Sequence, residues 1–338
     1  MTNLNESGRN ISSQELNGII KETKKVQLST TAYIVPGQGS QSVGMGLDLY
    51  NSSAAARATF EEADDILGFK LSRLCFEGPD EYLRQTINAQ PGLFVVSVAS
   101  MAAIAEASGK KPESELGFVA GHSVGEYAAL FASGALSFSD ALKLVRERGR
   151  LMHEACKEHD GSMAAILGLD LPSIEQLCQQ TGVEIANINC DGQIVVSGER
   201  QALIKTIDLS RDQGAKKATL LEVSGAFHSR LMQPAVPGMI KAVENTTFRD
   251  STVPVISNVT GEPLQERDSF KRELVSQIFS TVRWSQSVEN MVRQGIDTFV
   301  DVGPGDVLTR LMKRIAKDAK TFSVGDIAGV QKFSSAIA

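Results

Sequence analysis

The sequence has little cysteine, and its cysteines lack the spacing of metal ligands. None of the four lies in a C-x-x-C pair. A secreted disulfide framework or a structural zinc site depends on such groupings. We therefore expect reduced thiols and no metal site. The four cysteines are Cys75, Cys156, Cys178 and Cys190.

The sequence also lacks an excess of positive charge and a long hydrophobic run. Its net charge is −6, whereas a nucleic-acid-binding domain is usually basic. The most apolar segment, 93–105, is too short to span a bilayer and contains Ser97 and Ser100. We interpret this segment as a buried central helix that begins at Pro91. Neither a nucleic acid nor a membrane is expected as a partner.

The composition of the first thirty residues disfavours both a secretory signal and a transit peptide. The first thirty residues lack the hydrophobic region of a secretory signal peptide, and they contain Glu6, Glu15 and Glu22, which a transit peptide would avoid. We expect residues 1–30 to be a polar, disordered extension and residues 326–338 to be a C-terminal tail. A cytoplasmic location is expected.

The most informative feature that is present is a serine in the pattern G-x-S-x-G, at 121–125. Residues 116–120 predict a short buried strand, and residues 126–132 predict a helix. This order of strand, turn and helix is that of a nucleophile elbow. Ser123 would lie at a helix N-terminus, where free backbone N–H groups can bind an oxyanion. The alternative is an ordinary serine in a glycine-rich turn.

The alternation of short apolar strands and helices predicts an α/β fold. From Thr31 onward it indicates a hydrolase-like core with a mainly parallel sheet flanked by helices. Between 158 and 222 the order changes to βαββαβ, which is typical of a ferredoxin-like subdomain. We therefore predict a core of residues 31–157 and 223–325 with the subdomain 158–222 inserted into it.

A serine nucleophile needs a base, and the chain has four histidines. The side chain of His122 should point away from the neighbouring serine on a tight turn. His153 lies on the charged face of a predicted helix, and His159 lies in a polar loop. His228 follows the last strand of the subdomain, where a base could face the elbow across a cleft. Without the elbow, a surface role for His228 would be the more common one.

Arg148 lies on the apolar stripe of the predicted helix 140–155. A guanidinium that faces the core keeps its proton and therefore needs an anion. That anion could be a structural carboxylate or one that a substrate brings. Periodicity alone favours the structural salt bridge.

Together these segments resemble the malonyl-CoA:acyl carrier protein transacylases and, more broadly, the acyltransferase domains of fatty acid and polyketide synthases. The shared signatures occur in the family's order and are jointly specific, and the resemblance covers residues 31–325. They are PGQGSQ at 36–41, GHSVGE at 121–126, RG at 148–149, GAFHS at 225–229 and VGPG at 302–305.

The resemblance implies roles for the matching residues. Ser123 would be the acylated nucleophile, and His228 would be its general base and acid. Arg148 would bind the malonyl carboxylate. The backbone N–H groups of Gln38 and Val124 would form the oxyanion hole, although Val124 replaces the leucine that the family usually has.

The resemblance also implies a set of supporting residues. The backbone carbonyl of Gln277, rather than an aspartate, would orient the histidine. Asn187, Asn189 and His122 match polar residues that support the site. Phe227, beside the histidine, is similar to the pattern of malonyl-selective members, because a bulky side chain leaves little room for an α-methyl branch.

The implied activity is ping-pong transfer of a malonyl group from malonyl-CoA to the phosphopantetheine thiol of acyl carrier protein. The resemblance implies a monomer that uses no metal and no other cofactor, in fatty acid or polyketide synthesis. Three alternatives remain: a thioesterase of the α/β-hydrolase type, a trans-acting polyketide acyltransferase with another extender unit, and a catalytically silent carrier-protein-binding scaffold.

Overall fold

The computed structural model describes residues 27–337, apart from the side chain of Pro112. Most of the predicted extension 1–30 therefore lies outside the described residues. Within them, ten strands form two sheets. The strands are β1 (Thr31–Val35), β2 (Phe118–Gly121), β3 (Gly161–Leu167), β4 (Glu184–Cys190), β5 (Gln193–Glu199), β6 (Lys217–Leu220), β7 (Val255–Ile256), β8 (Pro263–Leu264), β9 (Thr298–Val302) and β10 (Lys320–Val324).

Helices separate most of these strands. The α-helices are α1 (Leu47–Ser52), α2 (Ala54–Leu67), α3 (Leu71–Glu77), α4 (Asp80–Leu83), α5 (Thr86–Ser108), α6 (Gly125–Ala132), α7 (Phe138–Ala155), α8 (Leu171–Thr181), α9 (Arg200–Asp212), α10 (Val236–Glu244), α11 (Arg267–Gln277), α12 (Trp284–Arg293), α13 (Val307–Ile315) and α14 (Ile327–Ile337). Short 3-10 helices span Leu28–Thr30, Pro112–Ser114 and Arg230–Ala235.

The larger sheet has the order β10-β9-β1-β2-β7-β8 and is parallel except for β8. Strands β1, β2 and β9 are buried along their whole length, as expected for a parallel sheet covered on both faces. Val35 pairs with Gly121, so β1 and β2 end side by side. The loop after β1 is thereby placed against the elbow. The predicted α/β fold is confirmed.

The smaller sheet is antiparallel, with the order β4-β5-β3-β6, which is the ferredoxin-like arrangement. Side chains alternate between its two faces. Ile166 and Val196 pack with Ile174 and Leu203 of helices α8 and α9. Met163 and Val195, on the opposite face, join the main core instead. The subdomain therefore forms one wall of the interior next to the elbow.

Helix α5 differs from its predicted form, because it begins at Thr86 and Pro91 lies inside it. Proline has no N–H to bond the carbonyl four residues earlier. That carbonyl, on Ile87, accepts a hydrogen bond from Arg146 Nη1 instead. The side chain of Arg146 thus compensates for the missing backbone donor. Among the described helices, α5 alone is long and apolar enough to cross a membrane, and 83% of its apolar window is buried inside the protein.

The C-terminal segment is not a tail over its described part, because 327–337 form the helix α14. Val330, Phe333 and Ile337 are buried, and their spacing of three and four residues forms one apolar stripe. Phe333 contacts the ring of Tyr33 edge-on, with 6.1 Å between the centroids. The stripe is visible in the sequence and ties the end of the chain to the larger sheet.

Asp301 in β9 is a buried carboxyl group, 1% exposed. Its Oδ2 accepts hydrogen bonds from the backbone N–H of Thr309 at 2.9 Å and from its hydroxyl at 3.0 Å, whereas Oδ1 has no partner among the described residues. Burial, with a smaller contribution from Asp306, raises the pKa of Asp301 to about 7, although the hydrogen bonds from Thr309 and the charge of Arg310 oppose the shift. The folded protein therefore holds this proton more tightly than the unfolded chain.

We expect Asp301→Asn to remove a pH-dependent loss of stability. As pH rises from about 4 to 7, the unfolded chain releases this proton before the folded protein does, so folding becomes less favourable. Relative to the variant, the wild type should lose about 2 to 3 kcal/mol between pH 5 and pH 8. Urea unfolding of both proteins across this range measures the difference, and parallel stability curves would contradict the prediction.

Candidate active site

Ser123 lies on a sharp turn between β2 and α6, with a φ of 53° that is unusual for a residue other than glycine. Two glycines permit the turn. A Cβ atom on Gly121 would lie 1.9 Å from the carbonyl carbon of Gly125, and one on Gly125 would lie 2.3 Å from the carbonyl oxygen of Val35. The elbow is thus pressed directly against the end of β1. This geometry is that of a nucleophile elbow.

Asn258 fixes the elbow from the neighbouring strand end, and the sequence analysis missed it. Its Oδ1 accepts a hydrogen bond from the backbone N–H of Ser123 at 2.7 Å, and its Nδ2 donates to the carbonyl of Gly121 at 2.6 Å. The residue is 1% exposed and follows β7, which pairs with β2. Its position at the end of a strand beside the elbow was the available signal.

His228 and Ser123 are in direct contact, with 2.8 Å between Nε2 and Oγ. His228 Nδ1 lies 2.9 Å from the carbonyl oxygen of Gln277 and 3.2 Å from that of Ser280. Because carbonyls only accept hydrogen bonds, Nδ1 carries the proton and Nε2 faces the serine with its lone pair. No carboxylate oxygen of the described residues is hydrogen-bonded to His228, so the arrangement is a dyad.

The environment of His228 keeps its ring neutral. Burial, followed by the charge of Arg148, lowers its pKa to about 3. The imidazole is therefore available as a base throughout the neutral range. His228 also has a positive φ of 59°, so both members of the dyad lie in backbone conformations that only the surrounding structure can maintain.

Arg148 lies beside the dyad and is 1% exposed. Its Nη2 donates to Ser123 Oγ at 3.1 Å and to Gln277 Oε1 at 2.8 Å, and its Nη1 donates to Gln90 Oε1 at 2.6 Å. Its Nε has no hydrogen-bond partner within residues 27–337. No carboxylate oxygen of the described residues lies within 4.0 Å of it, so the structural salt bridge that periodicity favoured is absent there. A permanently charged group thus faces the site with only neutral partners.

Gln277 is hydrogen-bonded to Ser123, His228 and Arg148. Its backbone carbonyl contacts His228 and its side-chain oxygen contacts Arg148. Its Nε2 donates to the carbonyl of Ser123 at 3.0 Å and to the carboxyl of Glu126. The sequence predicted the backbone contact alone. The side chain is also needed, because it sets the distance between the guanidinium and the elbow.

A second chain of hydrogen bonds runs from Arg148 to the loop after β1. Gln90 Nε2 donates to Thr86 Oγ1 at 2.7 Å, and that hydroxyl donates to Gln38 Oε1 at 2.9 Å. Gln90 and Thr86 lie in the first turns of α5. Neither residue was predicted from the sequence, because the predicted helix began at Pro91.

Gln38 and Val124 were predicted to supply the N–H groups of an oxyanion hole. Neither donates to any described residue, although both residues line the cavity at the serine. Val124 precedes α6, where N–H groups have no partner within the helix. The loop that follows β1 can approach the elbow because residue 37 is a glycine. A Cβ atom at this position would lie only 2.5 Å from the carbonyl oxygen of His122. The two N–H groups are thus free to bind an oxyanion.

The cavity at Ser123 has a volume of about 90 Å³, which is small beside the roughly 300 to 1,000 Å³ of ordinary ligand pockets. Asn187 and Phe227 line it. Asn189 does not line the cavity but contacts His122, which does, with 2.9 Å between Oδ1 and Nε2. The ring of His122 packs on Trp284 and away from the dyad. The cavity therefore admits a short acyl group, but not a whole coenzyme A thioester.

Comparisons with known proteins agree with this architecture. The sequence profile of the family described as acyl transferase domain matches residues 32–335. The malonyl CoA-acyl carrier protein transacylase of Bacillus subtilis (strain 168) is 44% identical over 304 residues, covering 88% of this chain and 94% of the relative. The protein of the same name from Staphylococcus aureus (strain MRSA252) is 38% identical over 309 residues, covering 90% and 98%.

Solved structures that resemble this chain are also malonyl transferases. The acyl-carrier-protein-S-malonyltransferase of Bartonella henselae matches with a TM-score of 0.88 and 41% identity, covering 91% of this chain and 99% of that one. A malonyl-transacylase in complex with a type II PKS acyl-carrier protein matches with a TM-score of 0.86 and 38% identity, covering 90% and 99%. The chain belongs to the acyl transferase family. Within that family, these relatives and structural neighbours are malonyl transferases.

We expect Asn258→Ala to disorganise the elbow. The change leaves the N–H of Ser123 and the carbonyl of Gly121 without partners, at a cost of about 2 to 4 kcal/mol in the free energy of unfolding. Labelling of Ser123 by a fluorophosphonate probe should become at least about tenfold slower. Asn245→Ala, at an exposed asparagine that bonds only its own helix, is the matched control. Unchanged stability and labelling in Asn258→Ala would contradict the assignment.

Proposed function

We propose that the chain transfers a malonyl group from malonyl-CoA to the phosphopantetheine thiol of acyl carrier protein through a malonyl-Ser123 intermediate. The observation that carries this proposal is the position of Arg148. Its guanidinium lies 3.1 Å from a serine hydroxyl that also contacts a neutral histidine. A nucleophile, a base and an unpaired buried cation together suit an acyl group that bears its own carboxylate.

In the first half-reaction, Ser123 Oγ attacks the thioester carbonyl while His228 Nε2 takes its proton. The oxyanion that forms is bound by the N–H groups of Gln38 and Val124. When the tetrahedral intermediate collapses, the C–S bond breaks and His228 returns the proton to the leaving thiolate. Coenzyme A departs as the thiol, and the serine carries the malonyl ester.

The second half-reaction reverses these roles. The phosphopantetheine thiol of the carrier protein gives its proton to His228 and attacks the ester carbonyl. The serine oxygen leaves and regains the proton from the imidazolium. Atoms and charges balance without an oxidant or a metal ion, so the proposed reaction needs no cofactor. The carrier protein could serve fatty acid or polyketide synthesis.

Arg148 would bind the malonyl carboxylate through Nε and Nη2. Nε has no hydrogen-bond partner among the described residues. Nη2 donates to Ser123 Oγ and to Gln277 Oε1, so the carboxylate would replace the serine oxygen as its acceptor. These two N–H groups form a fork that matches a carboxylate. Because Nη1 and Nη2 are held by two glutamine side chains, the fork is oriented before substrate arrives. That preorganisation favours a malonyl group over an acetyl group.

The extender unit is proposed to be unbranched. Phe227 lines the small cavity beside His228 and is 5% exposed. A methyl group at the α-carbon would have to displace this ring or a neighbouring core residue. Overpacking of this kind costs roughly 1 to 3 kcal/mol. We therefore propose malonyl-CoA, rather than methylmalonyl-CoA, as the substrate.

The covalent step can be tested by intact-mass spectrometry. We expect the wild type to gain a malonyl group after mixing with malonyl-CoA, and Ser123→Ala to gain none while remaining folded. Because no acid supports the histidine, His228→Ala should slow acylation by about 10³-fold or more. Near-normal acylation of His228→Ala would rule out the dyad. Steady hydrolysis of malonyl-CoA without carrier protein would indicate a thioesterase instead.

Arg148→Ala tests the choice of substrate. We expect kcat/KM for malonyl-CoA to fall about 10² to 10³-fold, because the substrate carboxylate then lies unpaired in a partly dry site. Acetyl-CoA, which has no carboxylate, should not suffer this loss. Arg148→Lys should restore little, since an ammonium cannot form the fork. A parallel fall for both thioesters, together with a lower Tm, would make Arg148 a structural residue.

A further inference from the structure

Two buried carboxyl groups lie behind the dyad, and the proposed reaction does not use them. Glu126, in the first turn of α6, is 1% exposed, and Glu273, in α11, is 7% exposed. Glu126 accepts a hydrogen bond from Gln277 Nε2. Glu273 accepts hydrogen bonds from Ser257 Oγ at 2.7 Å and from the N–H of Val259 at 3.0 Å. Glu126 comes from the elbow helix α6, and Glu273 contacts residues that follow β7.

Glu126 is connected to Arg148 through Gln277. The side chain of Gln277 donates to Glu126 and accepts from the guanidinium. A single amide therefore separates the buried cation from the first carboxyl group. Because its oxygen must face the arginine, its nitrogen must face Glu126. The amide thus fixes the distance over which the charges of Arg148 and Glu126 act on each other.

Glu273 lies one helical turn before Gln277 on α11, and the side chain of Gln277 donates to Glu126, so the two carboxyl groups lie near each other. Burial, followed by the charge of Glu273, raises the pKa of Glu126, and Arg148 opposes that shift. Burial also raises the pKa of Glu273. Two carboxylates in one dry site cannot both ionise freely, so they titrate as a pair. A pair that shares one proton would carry a single negative charge, which would offset the positive charge of the guanidinium.

The other titratable groups of the site do not change charge near neutral pH. Burial raises the pKa of Tyr127 and lowers that of His122. Burial and Arg148 lower the pKa of His228 to about 3. All three side chains therefore stay neutral. Among the described residues around Arg148, the carboxyl pair is the group that can respond when an anion arrives.

We propose that Glu126 and Glu273 form a proton-accepting pair that balances Arg148 in the empty site and takes up one proton when a substrate carboxylate binds. The inference rests on the proposed function. A malonyl carboxylate at Arg148 would leave the pair with an uncompensated negative charge in a buried site. A proton from solvent removes that charge, and no covalent bond changes. Acetyl-CoA brings no anion to Arg148, so the charge of the carboxyl pair should not change when it binds.

Isothermal titration calorimetry of Ser123→Ala measures this proton, because the variant binds malonyl-CoA without being acylated. The binding enthalpy is determined at pH 7.5 in phosphate, HEPES and Tris, whose heats of ionisation differ. We expect an uptake approaching one proton for each malonyl-CoA and none for acetyl-CoA. Both thioesters carry the same coenzyme A phosphates, so the difference between them isolates the acyl carboxylate. Equal uptake for the two, or none for malonyl-CoA, would overturn the proposal.

Adding Glu126→Gln to Ser123→Ala should reduce the uptake to less than half, because glutamine keeps a carbonyl acceptor for Gln277 but cannot bind the proton. Glu244→Gln, at an exposed position, should leave it unchanged. Full uptake in the double variant would contradict the role of Glu126. The proton uptake of each double variant is compared only if its Tm equals that of the wild type. The comparison of malonyl-CoA with acetyl-CoA uses Ser123→Ala alone and therefore does not depend on the folding of the Glu126 variant.

The pH dependence provides a second measurement. If a proton enters with the substrate, the Kd of Ser123→Ala for malonyl-CoA should rise towards tenfold for each unit of pH above the pKa of the pair, while the Kd for acetyl-CoA should not. A flat malonyl curve would overturn the inference. If the wild type is acylated by malonyl-CoA but no proton is taken up, only this inference fails. If it is neither acylated nor bound, the proposed function fails as well.

Discussion

The site depends on how a buried guanidinium is kept without a carboxylate in contact. Arg148 would normally draw an anionic partner into the core, because an unpaired charge in a dry interior is costly. Here the amide oxygens of Gln90 and Gln277 solvate its two Nη atoms instead. Neutral acceptors lower the cost of burial without occupying the place of an anion. The cation is therefore desolvated and oriented, which is the arrangement that the proposed binding of a substrate carboxylate requires.

The elbow imposes a second constraint, because it must bring a serine to that cation. Ser123 and His228 both have positive φ values, and such conformations persist only where their surroundings enforce them. The backbone of Ser123 is held by the close packing of Gly121 and Gly125 and by the two hydrogen bonds of Asn258. On the histidine side, the carbonyls of Gln277 and Ser280 fix the ring. Since α11 provides both this carbonyl and the amide on Arg148, one turn of helix sets the base and the cation together.

The sequence predicted those parts of the protein that have a local or periodic signature. The elbow at Ser123 and the βαββαβ order of the subdomain were visible because hydrophobic periodicity and glycine spacing are local properties. The hydrogen-bond partners of Arg148 could not be predicted in this way, because Gln90 lies 58 residues from it in the sequence and Gln277 lies 129 residues from it. No pattern within a single helix marks a glutamine as the acceptor for a distant guanidinium. The start of α5 was misplaced for a similar reason, because the group that compensates for Pro91 comes from Arg146 on another helix.

The absence of an acid behind His228, among the described residues, follows from the presence of Arg148. In a triad, a buried carboxylate orients the histidine and stabilises its charged form. A carboxylate in that position here would also attract the nearby guanidinium and compete with the substrate for it. Backbone carbonyls orient the same nitrogen without adding a formal negative charge beside the guanidinium. Burial, followed by the charge of Arg148, lowers the pKa of His228 to about 3, so a ring that neutral acceptors orient is also one that stays unprotonated.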